Sequence, residues 1–144
     1  MNLRRLDNID ISCSDVEPMV AFYRDVLGLP LRLPYEPGQG WAGFRAGDVV
    51  IYVIEETSSS PHPAPRLTGR DNPPGLDSIA FEVDDLDAAI AELDAKGVGW
   101  AGEIVESDWY RYRGFHDPDG NLLYLTIPLL DRRVPPVPAP DEQR

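Results

Sequence analysis

The sequence predicts an α+β fold built from two similar modules, each ordered strand, helix, strand, strand, strand. Three observations carry it. Residues 7–16 (Asp-Asn-Ile-Asp-Ile-Ser-Cys-Ser-Asp-Val) and residues 77–86 (Asp-Ser-Ile-Ala-Phe-Glu-Val-Asp-Asp-Leu) repeat one pattern, apolar side chains at every second position followed by an acidic helix start. The copies are offset by 70 residues, from Asn8 to Ser78, too long for a solenoid repeat and suited to a duplicated half-domain. Each copy then leads into an amphipathic segment closed by a glycine and three short strand-like runs.

In the first module, residues 6–12 form a strand with Ile9, Ile11 and Cys13 on one face and Asn8, Asp10 and Ser12 on the other. Asp15 stands where a helix N-cap belongs, and Pro18 is tolerated because first-turn N–H groups lack intrahelical acceptors. Val16, Met19, Val20, Tyr23 and Leu27 follow at helical spacing, and Gly28 supplies the left-handed stop. Strands are then predicted over residues 31–33, 41–46 and 49–55, separated by the Pro- and Gly-containing stretch 34–40 and a turn at 46–48.

Residues 57–75 hold three serines, five prolines and two glycines, and read as a linker. The second module, about residues 76–128, repeats the order of the first, about 6–56. Residues 77–83 form a strand, Asp85 caps a helix, and Leu86, Ala89, Ile90 and Leu93 make its apolar stripe before Gly97. Strands follow over 100–106, 109–116 and 122–127, the last two joined by Asp117-Pro-Asp-Gly-Asn121, whose proline and glycine suit a tight turn. The four prolines at 135, 136, 138 and 140 make residues 129–144 an extended tail beyond a single domain of residues 1–128.

Composition narrows the function. With 25 acidic against 13 basic residues the formal charge is −12, which repels nucleic-acid phosphates and anionic lipid and attracts cations. The lone Cys13 falls on the apolar face of its strand, so a buried thiol is expected and no internal disulfide is possible. No run approaches a membrane span of roughly 20 apolar residues, and the start lacks a signal-like apolar stretch, so a cytoplasmic protein is expected.

The paired module order, the helix ending Ala21-Phe-Tyr-Arg-Asp-Val-Leu-Gly-Leu29 and the closing turn Asp117-Pro-Asp-Gly-Asn121 resemble the vicinal oxygen chelate superfamily. That group includes glyoxalases, extradiol dioxygenases, fosfomycin-resistance enzymes and bleomycin-resistance proteins. The resemblance spans about residues 6–128 and implies a curved mixed sheet around a central groove, helices on its outer face, and a homodimer. In metal-dependent members it implies a histidine seven residues before each helix cap and a carboxylate or amide in each closing strand. Here those positions hold Asn8, Ser78, Tyr52 and Tyr124. Neutral oxygens and tyrosines are poor donors for such a centre, so neither a metal nor another cofactor is expected.

Strand parity gathers Asn8, Asp10, Ser12, Ser78, Ala80 and Glu82 on the concave face. With Trp41, Tyr52, Trp109 and Tyr124 added, the expected ligand set is Asn8, Asp10, Trp41, Tyr52, Ser78, Glu82, Trp109 and Tyr124. Such a face suits a flat aromatic or cationic molecule. Parity leaves open whether Tyr110 and Tyr112, or the alternating Arg111 and Arg113, face it. By resemblance, drug-sequestering members hold compounds in this way without a catalysed reaction. The competing expectation is a glyoxalase- or dioxygenase-like metalloenzyme whose centre is rearranged around His116 with Asp10 or Glu82. His62, between two prolines in the linker, reads as a solvated loop residue.

Overall fold

The computed structural model describes residues 1, 6–56, 76, 78–108 and 110–129. Strand β1 (Asn8–Cys13) runs into Asp15, whose carboxylate accepts from the Glu17 N–H at 3.1 Å and caps helix α1 (Val16–Val20). The helix then widens into a π-helical stretch (Ala21–Val26), marked by the Leu27 N–H donating to the Phe22 carbonyl at 3.0 Å. The wider turn carries both Phe22 and Tyr23 into the core, where their rings meet edge to face at 5.4 Å. A uniform α-helix had predicted Tyr23 alone of this pair. Gly28 and Gly97, each at φ 73°, end the two helical segments in a conformation that costs other residues a steric clash.

Strands β2 (Trp41–Ala46) and β3 (Val49–Glu55) form an antiparallel hairpin, and β1 pairs parallel with β3, giving the order β1-β3-β2. The strand expected at 31–33 is reduced to one bridge, Leu31 opposite Phe44, beside β2. Pro30 and Pro34 flank it and have no N–H to extend a ladder. The second module repeats the plan with β4 (Ser78–Glu82), α2 (Leu86–Ala95), β5 (Gly99–Trp100), β6 (Val105–Glu106), β7 (Tyr110–His116) and β8 (Leu122–Pro128). Asp85 caps α2 by accepting from the Ala88 N–H at 3.0 Å. Its sheet runs β4-β8-β7-β5, with β6 also on β7 and β4 parallel to β8.

The single strand expected over 100–106 is thus split. Trp100 pairs with Phe115 and Val105 with Tyr112, so the outer chain spends two residues more than β7 over the same span. Arg113 occupies the resulting bulge: its Nε donates to the Gly102 carbonyl at 3.0 Å and its guanidinium lies 4.1 Å from the centroid of the Trp100 ring.

Both modules feed one buried cluster. Ile11, Cys13, Met19, Phe22, Tyr23, Phe44, Ile51 and Val53 come from the first, and Leu86, Ile90, Leu93, Phe115, Leu123 and Leu125 from the second. Phe22 and Phe115 bring their rings to 6.3 Å across the boundary. Polar ties reinforce the contact, since Ser14 Oγ donates to Asp119 Oδ1 at 2.7 Å and Lys96 Nζ donates to the Val26 carbonyl at 2.9 Å. Because the odd-numbered residues of β1, β3 and β8 are spent on this core, the even-numbered ones are left for the opposite faces. The linker 57–75, residues 130–144 of the tail, Trp109 and His62 lie outside the described residues.

Candidate functional site

Register turns each open face into rows of side chains. In the first sheet Asp10 lies beside Tyr52 and then Gly43, and Ser12 lies beside Ile54 and then Trp41. In the second, Ala80 lies beside Tyr124 and Gly114, and Glu82 beside Thr126 and Tyr112. The duplication therefore equates Tyr52 with Tyr124 and Gly43 with Gly114. It does not equate the two carboxylates: Asp10 corresponds to Ala80, and Glu82 to Ser12.

A cavity of about 460 Å³ opens on the second sheet, lined by Ser78, Ala80, Glu82, Tyr110, Tyr112, Tyr124 and Thr126. The volume falls in the usual range for small-molecule sites. Tyr112 and Tyr124, both in its lining, stand edge to face at 5.2 Å and 89°. Of the residues expected to bind ligand, Ser78, Glu82 and Tyr124 meet here. Asn8, Asp10, Trp41 and Tyr52 share the first sheet's open face instead, and none of them lines this cavity. On that face Asn8 donates to Asp10 Oδ1 at 2.8 Å, and Trp41 and Tyr52 hold their rings 6.4 Å apart.

The question left open by parity is settled by pairing. Tyr110 and Tyr112 face the cavity, whereas Arg111 bonds Asp87 at 3.0 Å on the helix side and Arg113 fills the bulge. Thr126 went unrecognised in the sequence, although it lies two residues beyond Tyr124 and the alternation rule already puts it on the same face. It is 5% exposed, and its hydroxyl has no hydrogen-bond partner among the described residues.

The donor set does not fit the metal centre that the resemblance implies. Asn8 offers only a neutral amide oxygen, its Nδ2 donating to Asp10, and the Tyr52 and Tyr124 rings lie against Gly43 and Gly114 in neighbouring strands. Ser78 is a neutral hydroxyl. His116 pairs with Leu122, in the same row as Ser78, while Glu82 is four residues further along β4, roughly 13 Å at strand spacing. Asp10 belongs to the other sheet. Among the described residues no three His, Cys, Asp or Glu side chains come together as a metal-holding group.

Two buried groups near the module boundary have other tasks. Asp117, 4% exposed, accepts from Tyr23 Oη at 2.9 Å, Asn121 Nδ2 at 2.7 Å, and the Asp119 and Asn121 N–H groups at 3.0 and 2.9 Å. It organises the turn and ties it to the first module. Burial, then the carboxylates of Asp119 and Glu55, pushes the Cys13 thiol up from an ordinary value near 9 to about 11. The native protein is therefore expected to react only slowly with a disulfide reagent at pH 8, with roughly one thiol in a thousand ionised, and rapidly once unfolded. Absorbance at the released chromophore checks this.

The profile described as Glyoxalase/Bleomycin resistance protein/Dioxygenase superfamily matches residues 5–125. The chain is 36% identical over 133 residues to the Escherichia coli (strain K12) "Uncharacterized protein YaeR", covering 87% of this chain and 97% of that one. It is 36% identical over 123 residues to the Bacillus subtilis (strain 168) "Uncharacterized protein YwkD", covering 83% and 93%. Among solved structures it is similar to TnmS3, an antibiotic binding protein from Streptomyces sp. CB03234, with a TM-score of 0.63 and 26% identity over 89% of this chain and 98% of that one. A glyoxalase/dioxygenase from Nostoc punctiforme shares the fold at a TM-score of 0.69 and 20% identity, covering 87% and 91%. With a profile match over most of its length and two relatives at this identity, the chain belongs to the glyoxalase/bleomycin resistance protein/dioxygenase superfamily.

Proposed function

We propose that this protein is a binding protein, rather than a metalloenzyme, which holds a flat aromatic cation against the open face of its second sheet. The observation that carries the reading is the cavity itself: three tyrosines around a space of about 460 Å³, with the Glu82 carboxylate in its lining. Tyrosine rings supply rigid contact area and a negative π face, and a carboxylate adds charge complementarity. The chain's formal charge of −12 raises the local concentration of a cation before contact. The antibiotic-binding neighbour supports the same class of function. The first sheet's open face, with Trp41, Tyr52, Ile54 and Asp10, is the surface that closes the cavity of a second copy in a symmetric homodimer.

The test is isothermal titration with 1-methylquinolinium, a flat cation without hydrogen-bonding groups, after exhaustive dialysis against a chelator. Saturable binding is expected, weakened about tenfold by Glu82→Gln or Tyr112→Ala and reduced by added salt. Sedimentation equilibrium should give twice the chain mass. Absence of binding to the dialysed protein, with binding restored by a divalent metal, would sink the proposal in favour of the metalloenzyme.

A further inference from the structure

We propose that the Thr126 hydroxyl is the specificity-determining contact of this cavity, and that it selects aromatic ligands carrying an amide or similar group on the edge facing β8. The inference rests on the binding reading above and deepens it. Thr126 lines the cavity, is 5% exposed, and leaves Oγ1 without a partner among the described residues. Buried polar atoms are overwhelmingly paired, so an orphaned hydroxyl on a cavity wall marks the place where a ligand atom completes the bond. A hydroxyl both donates and accepts, as an amide does.

The duplication removes the structural explanation. The residue equivalent to Thr126 in the first module is Ile54, two residues beyond Tyr52 and in the same row relative to its neighbours. The matching strand position thus carries a β-branched apolar side chain, 44% exposed where Thr126 is buried, so strand pairing itself does not require the oxygen. Register puts Thr126 between Glu82 on β4 and Tyr112 on β7. The hydroxyl thus lies in one row with the carboxylate and an aromatic ring. A ligand that rests on the tyrosines with its positive charge toward Glu82 therefore lies along the row that holds Thr126.

The experiment compares 1-methylquinolinium with 3-carbamoyl-1-methylquinolinium, equal in charge and ring system, on the full chain and on Thr126→Val and Thr126→Ser. The parent protein is expected to prefer the carbamoyl probe about tenfold. Thr126→Val should abolish that preference by weakening the carbamoyl probe about tenfold, and Thr126→Ser should retain the preference. Thr126→Val should also unfold at the same or higher denaturant concentration, since it removes an unpaired buried oxygen. Equal binding of both probes by the parent protein overturns this inference and leaves the binding reading standing, as does a preference that survives Thr126→Val. A marked loss of stability in Thr126→Val shows a structural hydroxyl and also overturns it. Failure of the parent protein to bind either probe sinks both.

Discussion

Asp117→Ala is expected to lower the unfolding free energy by about 3–5 kcal/mol, the largest single effect in the molecule outside the apolar core. The carboxylate serves four donors: the Tyr23 hydroxyl, the Asn121 amide and two backbone N–H groups of its own turn. Leaving a buried donor unsatisfied costs about 1–3 kcal/mol, and effects within one network add incompletely, which sets the range. Burial and the facing Asp117 hold the Tyr23 hydroxyl far above its ordinary pKa, so it remains a donor at any working pH. Tyr23→Phe removes one donor of four and should cost about 1–2 kcal/mol, which keeps the test readable if Asp117→Ala does not fold. Denaturant unfolding followed by circular dichroism measures both. A loss below about 1 kcal/mol for Asp117→Ala would show that the turn holds without its carboxylate.

This residue also marks the boundary of what the sequence makes legible. Asp117-Pro-Asp-Gly-Asn121 is readable as a turn because its backbone requirements are local, but its role as a cross-module tie depends on Tyr23, 94 residues away. The same division runs through the fold. Strands β2 and β3 match the expected bounds, and both aspartate caps bond as expected, since alternation and capping are short-range physics. The π-helical turn, the shrunken strand at Leu31 and the split around Arg113 depend on packing partners elsewhere in the chain. In the site, parity correctly separated Asn8 and Asp10 from Ile9 and Ile11, and put Glu82 and Tyr124 on one face. What parity lacks is register between strands. Only the pairing of β7 with β8 shows that Tyr112 and Thr126 are neighbours and that the cavity is lined by the second module.

Gly43→Ala is expected to cost about 1–3 kcal/mol, against the usual preference of strands for any side chain over glycine. A Cβ at position 43 would sit 2.7 Å from Tyr52 Cε1 and 2.9 Å from Cδ1, with Arg32 Cβ at 3.5 Å. The ring must move, and the Trp41 indole 6.4 Å away limits where it can go. Gly114 makes the same provision for Tyr124, more loosely: its Cβ would lie 3.0 Å from Cε1 and 3.4 Å from Ala101 Cβ. Gly114→Ala should therefore cost less than Gly43→Ala. It should act instead on the cavity, because a displaced Tyr124 ring disturbs its edge-to-face contact with Tyr112. A double-mutant cycle separates this from general strand damage. If the glycine exists to seat the ring, Gly43→Ala is destabilising in the parent and near neutral or stabilising beside Tyr52→Ala, where the alanine methyl takes space the ring has left. Equal penalties in both backgrounds would mean that the backbone, and not the tyrosine, demands glycine. The paired glycines thus seat one aromatic ring in each module, at positions where the family's metal-dependent members are expected to carry ligands, and the cycle measures how firmly the Tyr52 ring is held there.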